Sequence, residues 1–297
     1  MRTPTPAASP LRSALGPLRG SNSRLGTALR REWFPSWRLA LLILLVVGSF
    51  AAIMSLLPPT PAQDLGHPGF ADRRFFLGIP NFANVVSNLA FLAVGCAGLW
   101  LSFSRRVDGA RASWSVFFLG VALVSVGSAY YHWAPRNDTL VWDLFPITIG
   151  FMGLFAALLC EHVSARSERW LLGPAILVGV ASVLYWRFFD DLRPYVWIQV
   201  VALLMIPATL VLFRSDGGGD RFLVIGFACY ALAKGAEAYD HPIFGLTGAW
   251  ISGHTLKHLL AALACFAIYA MLRQRARVPS ARAPNSVHGL DRRRAAP

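Results

Sequence analysis

Long apolar runs broken by short polar segments dominate the chain, and eight of them, 38–57, 82–104, 113–131, 141–160, 169–186, 196–213, 221–237 and 254–272, approach the length of a membrane crossing. Crossing about 30 Å of hydrocarbon takes about 20 consecutive apolar residues in a helix. Lipid offers backbone groups no partner, so each run is predicted to be a helix that satisfies its own N–H and C=O groups. Most breaks are short, so sequence neighbours are expected to pack antiparallel in one bundle. The expected fold class is therefore all-α: a polytopic membrane helix bundle with a seven-helix core and one extra N-terminal transmembrane helix. The first run stands apart because the Pro- and Gly-rich stretch "PPTPAQDLGHPGFADRRFFLGIPN" separates it from the rest. The division that follows is 1–37 as a disordered basic cytoplasmic tail, 38–57 as the extra helix, 58–272 as the core and 273–297 as a second basic cytoplasmic tail.

Composition sharpens this picture. Hydrophobic residues make up 55% of the 297 and charged residues 14%, where a soluble domain carries about 25% charge. The net charge of +13 would suit a nucleic-acid binder, but residues 1–38 and 273–297 each hold seven Arg against one acid. Basic flanks on an oily body read as topology signals, and no basic groove interleaved with aromatics is present, so nucleic acid is not an expected partner. The Arg asymmetry places both termini in the cytoplasm. Many Arg and Ala with almost no Lys suggest a GC-rich, bacterial source, hence an inner membrane. Cys96, Cys160, Cys229 and Cys265 all fall within apolar runs and read as small hydrophobes.

Candidate chemistry gathers at one end of the bundle. His132 ends the third run and Asp143 begins the fourth. Ser128 lies one turn before His132, and His254 and His258 open the eighth run. On the alternating topology all of these groups lie near the non-cytoplasmic face. Two histidines four residues apart share a helical face and can hold one metal ion, as in HExxH proteases. A third ligand from another helix, for which His132 is the best candidate, would complete a catalytic zinc site with one open position. Asp143 could then move the proton of an attacking water, and Ser128 could bond that water or a developing oxyanion. Two other readings stay open: a His pair that bonds backbone or headgroups, and haem ligation. Asn81, Asn84 and Asn88 recur at helical spacing in the second run, as candidates for substrate binding or for interhelical hydrogen bonds. Lys234, Glu237 and Asp240 approach the same end, as a structural ion pair or, for Glu237, a headgroup contact.

Ser128-x3-His132, Asp143 eleven residues later and His254-x3-His258 together resemble the alkaline ceramidase family of seven-helix membrane hydrolases, related to the adiponectin receptors. "NFANVVSNLAF" (81–91) resembles the first core helix of that family, and the likeness covers roughly 72–272. The resemblance implies a zinc-dependent amidase cleaving ceramide or a ceramide-like N-acyl lipid to a fatty acid and a sphingoid base. His132, His254 and His258 would hold Zn2+, Asp143 would activate water and Ser128 would stabilise the oxyanion, with Asn84, Asn88 and Glu237 as weaker substrate-binding candidates. Family members carry an acidic calcium segment; here it offers Asp72 and little else, with Asn81 where a Glu is expected, and one carboxylate is a poor Ca2+ site. The alternatives are a membrane ester hydrolase acting on phospholipids or lipid anchors, and a receptor-like or transport protein with structural zinc. The expected partner is the membrane lipid substrate, with no obligate protein partner evident.

Overall fold

The computed structural model describes residues 36–59, 61, 69–104, 109–213 and 219–277. The expected disorder of the N-terminal tail to residue 35, and of the C-terminal tail beyond 277, lies outside the described residues. The described chain is all-helical: α1 (Ser36–Leu56), α2 (Phe82–Val86), α3 (Leu89–Phe103), α4 (Arg111–Trp133), α5 (Asn137–His162), α6 (Glu168–Phe189), α7 (Arg193–Leu212), α8 (Asp220–Ala238), α9 (Asp240–Leu246) and α10 (Gly253–Arg277), with a 3-10 turn at Ala165–Ser167.

Among the described residues seven spans are individually long and apolar enough to cross a membrane, α2 and α3 counting as one; the seventh predicted run, 221–237, appears as α8 joined to α9 through an 85° bend. The protein is a multi-pass membrane helix bundle. α10 extends to Arg277, so the first residues of the expected C-terminal tail are helical. Residues 1–41 and 42–297 separate into two units.

Within residues 42–297 the helices close a ring. α4 packs on α5, α5 on α7, α7 on α8, α8 on α10, α10 on α3 and α3 on α4, while α6 packs against α5 and α7. With no hydrophobic drive between helices in lipid, such packing relies on close backbone approach and a few polar contacts. Gly127 of α4 illustrates this: a Cβ there would lie 2.0 Å from the Trp142 carbonyl oxygen of α5. Pro146, four residues after Trp142, has no N–H to give that carbonyl, so the two helices meet where α5 lacks a rung of its ladder. Ser128 and Asp143 are the next residues on either side of this contact. The last turns of α1 dock through Arg193, whose Nη1 donates to the Met54 and Leu57 carbonyls at 2.8 and 3.1 Å, and through Trp197, whose indole N–H donates to Ser49 Oγ.

Candidate metal centre and its cavity

α10 supplies two histidines, and its first turn is fixed by side chains from outside it. Ser252 Oγ accepts the Thr255 N–H at 3.0 Å, an N-cap bond to one of the donors a helix start leaves unpaired. Asp240 Oδ1 accepts the His254 N–H at 2.7 Å, and Asp240 Oδ2 accepts the Ala71 N–H at 2.8 Å. The α8–α9 bend, just before Asp240, brings this carboxylate under α10. Gly253 lets the elements approach, since a Cβ there would sit 2.1 Å from the Ala236 carbonyl oxygen.

His132, at the end of α4, completes a near-equilateral group. Ring centroids lie 4.8 Å apart for His132–His254, 5.0 Å for His132–His258 and 4.9 Å for His254–His258. One nitrogen from each ring falls within 4.8 Å of the others, and His132 Nε2 stands 3.2 Å from His254 Nε2. All three rings are buried. Ser87, in the break between α2 and α3, orients the third ring. Its hydroxyl donates to the Asn84 carbonyl at 3.1 Å and meets His258 Nδ1 at 2.8 Å. A hydroxyl has one proton to give, so His258 Nδ1 is the donor to Ser87, and the lone pair of His258 is on Nε2.

These residues fit a bound cation. Two bare ring nitrogens at 3.2 Å repel unless a proton or metal lies between them. The spacing is close to the about 3.3 Å that two nitrogens make around zinc at 2.0–2.1 Å in a tetrahedral site. A hydrogen-bonded second ring nitrogen, as in His258, is the usual outer support of a metal-binding imidazole.

Ser128, Asp143, His254 and His258 face one cavity of about 710 Å³. Ser128 and Asp143 are both buried, and Asp143 Oδ1 has no hydrogen-bond partner among the described residues. Beyond these groups the wall is mainly apolar, with Val121, Leu154, Ile206 and Ile268 among its residues. From His258 to Ile268, α10 follows the cavity for roughly 15 Å at 1.5 Å per residue. Glu237 also lines the cavity, bonded to both Lys257 and Lys234.

Asn84 and Asn88 sit elsewhere. Neither lines the cavity, and both are buried. Asn84 Oδ1 accepts the Thr255 hydroxyl at 2.8 Å and its amide donates to the Asp72 carbonyl at 3.3 Å; Asn88 donates to the Asn84 carbonyl at 2.8 Å. Asn84 thus joins α2 to α10, the interhelical use of Asn, and Asn81 donates to the His132 carbonyl.

No local pattern points to the segment around Phe70. Its ring lies 4.9 Å from His132 and 4.6 Å from His254, centroid to centroid, and covers the histidines. Asp72 holds the segment in place with the Arg74 fork, Nε to Oδ1 at 2.8 Å and Nη2 to Oδ2 at 2.6 Å, while Arg74 also donates to the Trp250 carbonyl. Burial pushes the Asp72 carboxyl upward, but the Arg74 hydrogen bonds and charge outweigh it and hold the group below its ordinary value. Ser252, Ser87 and Phe70 are the site residues that sequence reasoning left unassigned, and Asp240, read there with an ion pair, accepts two backbone N–H groups; the cap signal Ser before an apolar run could have found Ser252.

No curated protein matches the chain. Residues 77–217 match the model of the family described as Ceramidase. The matched stretch carries Ser128, His132 and Asp143, and the all-helical bundle brings His254 and His258 to them from beyond it. Over this stretch, a little under half of its length, the chain is similar to the Ceramidase family.

Proposed function

We propose that the protein is a zinc-dependent intramembrane amidase that hydrolyses ceramide or a ceramide-like N-acyl lipid to a fatty acid and an amine. His132, His254 and His258 would hold the ion, whose Lewis acidity acidifies water and polarises an acyl carbonyl. Asp143 takes the proton of the attacking water on its unpartnered Oδ1 and delivers it to the leaving amide nitrogen, so the C–N bond breaks to a neutral amine and a carboxylic acid. Ser128 donates to the oxyanion as the carbonyl becomes tetrahedral. The apolar reach of the cavity holds the acyl chain and keeps bulk water from the site. Excess Arg in the tails supports cytoplasmic termini, with the site near the opposite face of a bacterial inner membrane, and α1 is an addition to the core.

The observation that carries this reading is a cluster of three buried imidazoles, two of which line the same apolar cavity as a buried, unpartnered carboxylate oxygen. The test is metal analysis of the purified protein and of Asp143→Asn, with lipid products resolved by mass spectrometry. The expected result is one zinc per chain in both, with release of fatty acid from N-acyl but not O-acyl lipid, falling about 10²–10⁴-fold in the variant. Absence of metal from the intact protein, or undiminished turnover in Asp143→Asn, refutes it; release from O-acyl lipid alone makes the protein an esterase.

A further inference from the structure

The chain contains 26 arginines and only two lysines, Lys234 and Lys257. Both lysines meet at one carboxylate. Lys257 Nζ donates to Glu237 Oε1 at 2.6 Å, and Lys234 Nζ donates to Glu237 Oε2. All three side chains line the cavity that also takes in Asp143, His254 and His258. One cation would balance the partly exposed Glu237 carboxylate; it has two, so the group carries a surplus positive charge on the cavity wall. Each ammonium has three donors and shows one hydrogen bond among the described residues.

The nearby acids do not absorb that surplus. Asp240 spends its two oxygens on the backbone N–H groups of His254 and Ala71. Asp143 belongs to the proposed chemistry and lines the cavity beside Ser128. A cation within a span is costly unless something pairs with it, and the Lys257 side chain is only 25% exposed. The choice of side chain also matters. A guanidinium is a rigid planar fork, whereas an ammonium is a compact charge with rotatable donors that can hold Glu237 and a ligand together. A chain that uses arginine at nearly every other cationic position uses lysine at these two.

We propose that the cavity takes an N-acyl lipid whose amine side carries an anionic group such as a carboxylate, held by Lys257 and Lys234 while the acyl chain follows the apolar wall. This rests on the amidase reading, and names the headgroup class of its substrate.

The test uses two amides with the same acyl chain, N-dodecanoylglycine and the uncharged N-dodecanoylethanolamine, and the full chain in neutral detergent. Turnover is measured in the intact protein, and binding by tryptophan fluorescence in the Asp143→Asn background. The glycine conjugate is expected to bind at least about tenfold more tightly, the scale of one charge-assisted contact. Added to that background, Lys257→Gln and Lys234→Gln should each bring the two affinities to within about threefold. Arg187→Gln, which removes the same charge from the same end of the bundle, should keep the preference. Equal binding of the two amides, or a preference that Arg187→Gln erases as fully as Lys257→Gln, overturns the proposal. Equal turnover and equal binding would leave the amidase standing without its anionic site. Tight binding of the glycine conjugate with no hydrolysis of either amide would keep the anion site and remove the amidase.

Discussion

Because the Ser87 hydroxyl already donates to the Asn84 carbonyl, it can only accept from His258. One proton on one hydroxyl thus sets the tautomer of a candidate metal ligand. Ser87→Ala removes that control while leaving all three imidazoles in place. Loss of such outer support costs 10–100-fold in metal affinity in other sites, and the same fall is expected here in a competition titration with a chelator. Unchanged affinity would mean that Ser87 does not orient the ring. Asp72 acts at the same scale but through acidity. Its folded carboxyl titrates below its ordinary value because of Arg74, so its contribution to stability is complete above an unfolded pKa of about 3.9 and is lost as pH falls through the lower folded value. Thermal unfolding between pH 5 and pH 2, referenced to Asp72→Asn, should show wild type losing its advantage across that window; a constant difference would contradict it.

At the scale of elements, the site depends on where helices stop. α10 starts at Gly253 because Ser252 caps it and Asp240 takes the His254 N–H, while the other oxygen of Asp240 holds Ala71 next to Phe70. Asp240→Ala leaves two N–H groups without their acceptor, each costing about 1–3 kcal/mol if buried. It should lower both the unfolding temperature and metal affinity, with Asp240→Asn recovering part of each; wild-type metal affinity in Asp240→Ala would show that the first turn of α10 holds His254 unaided. The long helices were legible in the sequence because an apolar run of such length in lipid has few other structures open to it. The His-x3-His pair was legible because four residues make one turn. The break at Ser87–Asn88, the bend at Tyr239 and the Phe70 cover were not, since they rest on single polar contacts between distant segments. Asp240 and Ala71 are 169 residues apart, and no local pattern announces such a bond. For Asn84 two readings stayed open for a related reason: helical spacing gives its face but not whether Thr255 or a substrate lies opposite.

At the scale of the whole molecule, the ring of α3, α4, α5, α7, α8 and α10 makes the cavity deeper than the polar site needs. Hydrophobic surface not packed against protein must be covered by something apolar, and within a lipid hydrolase reading that is an acyl chain lying along α10. Its length should then be read by residues well below the three histidines. Cys265 lines the cavity and follows His258 by seven residues, about 10 Å along the helix. Cys265→Phe adds a ring without touching the histidines, Ser128 or Asp143. If the chain runs past it, kcat/KM should fall about tenfold or more for a 16-carbon N-acyl lipid, since inserting bulk where a methylene chain must lie costs on the order of 1–3 kcal/mol, while a 6-carbon analogue that ends above the ring loses little. Equal losses for both lengths would place the acyl chain elsewhere, and the cavity below His258 would then need another occupant. Loss of bound metal in the same variant would instead mark a packing defect reaching the histidines, so metal content is measured alongside the two rates.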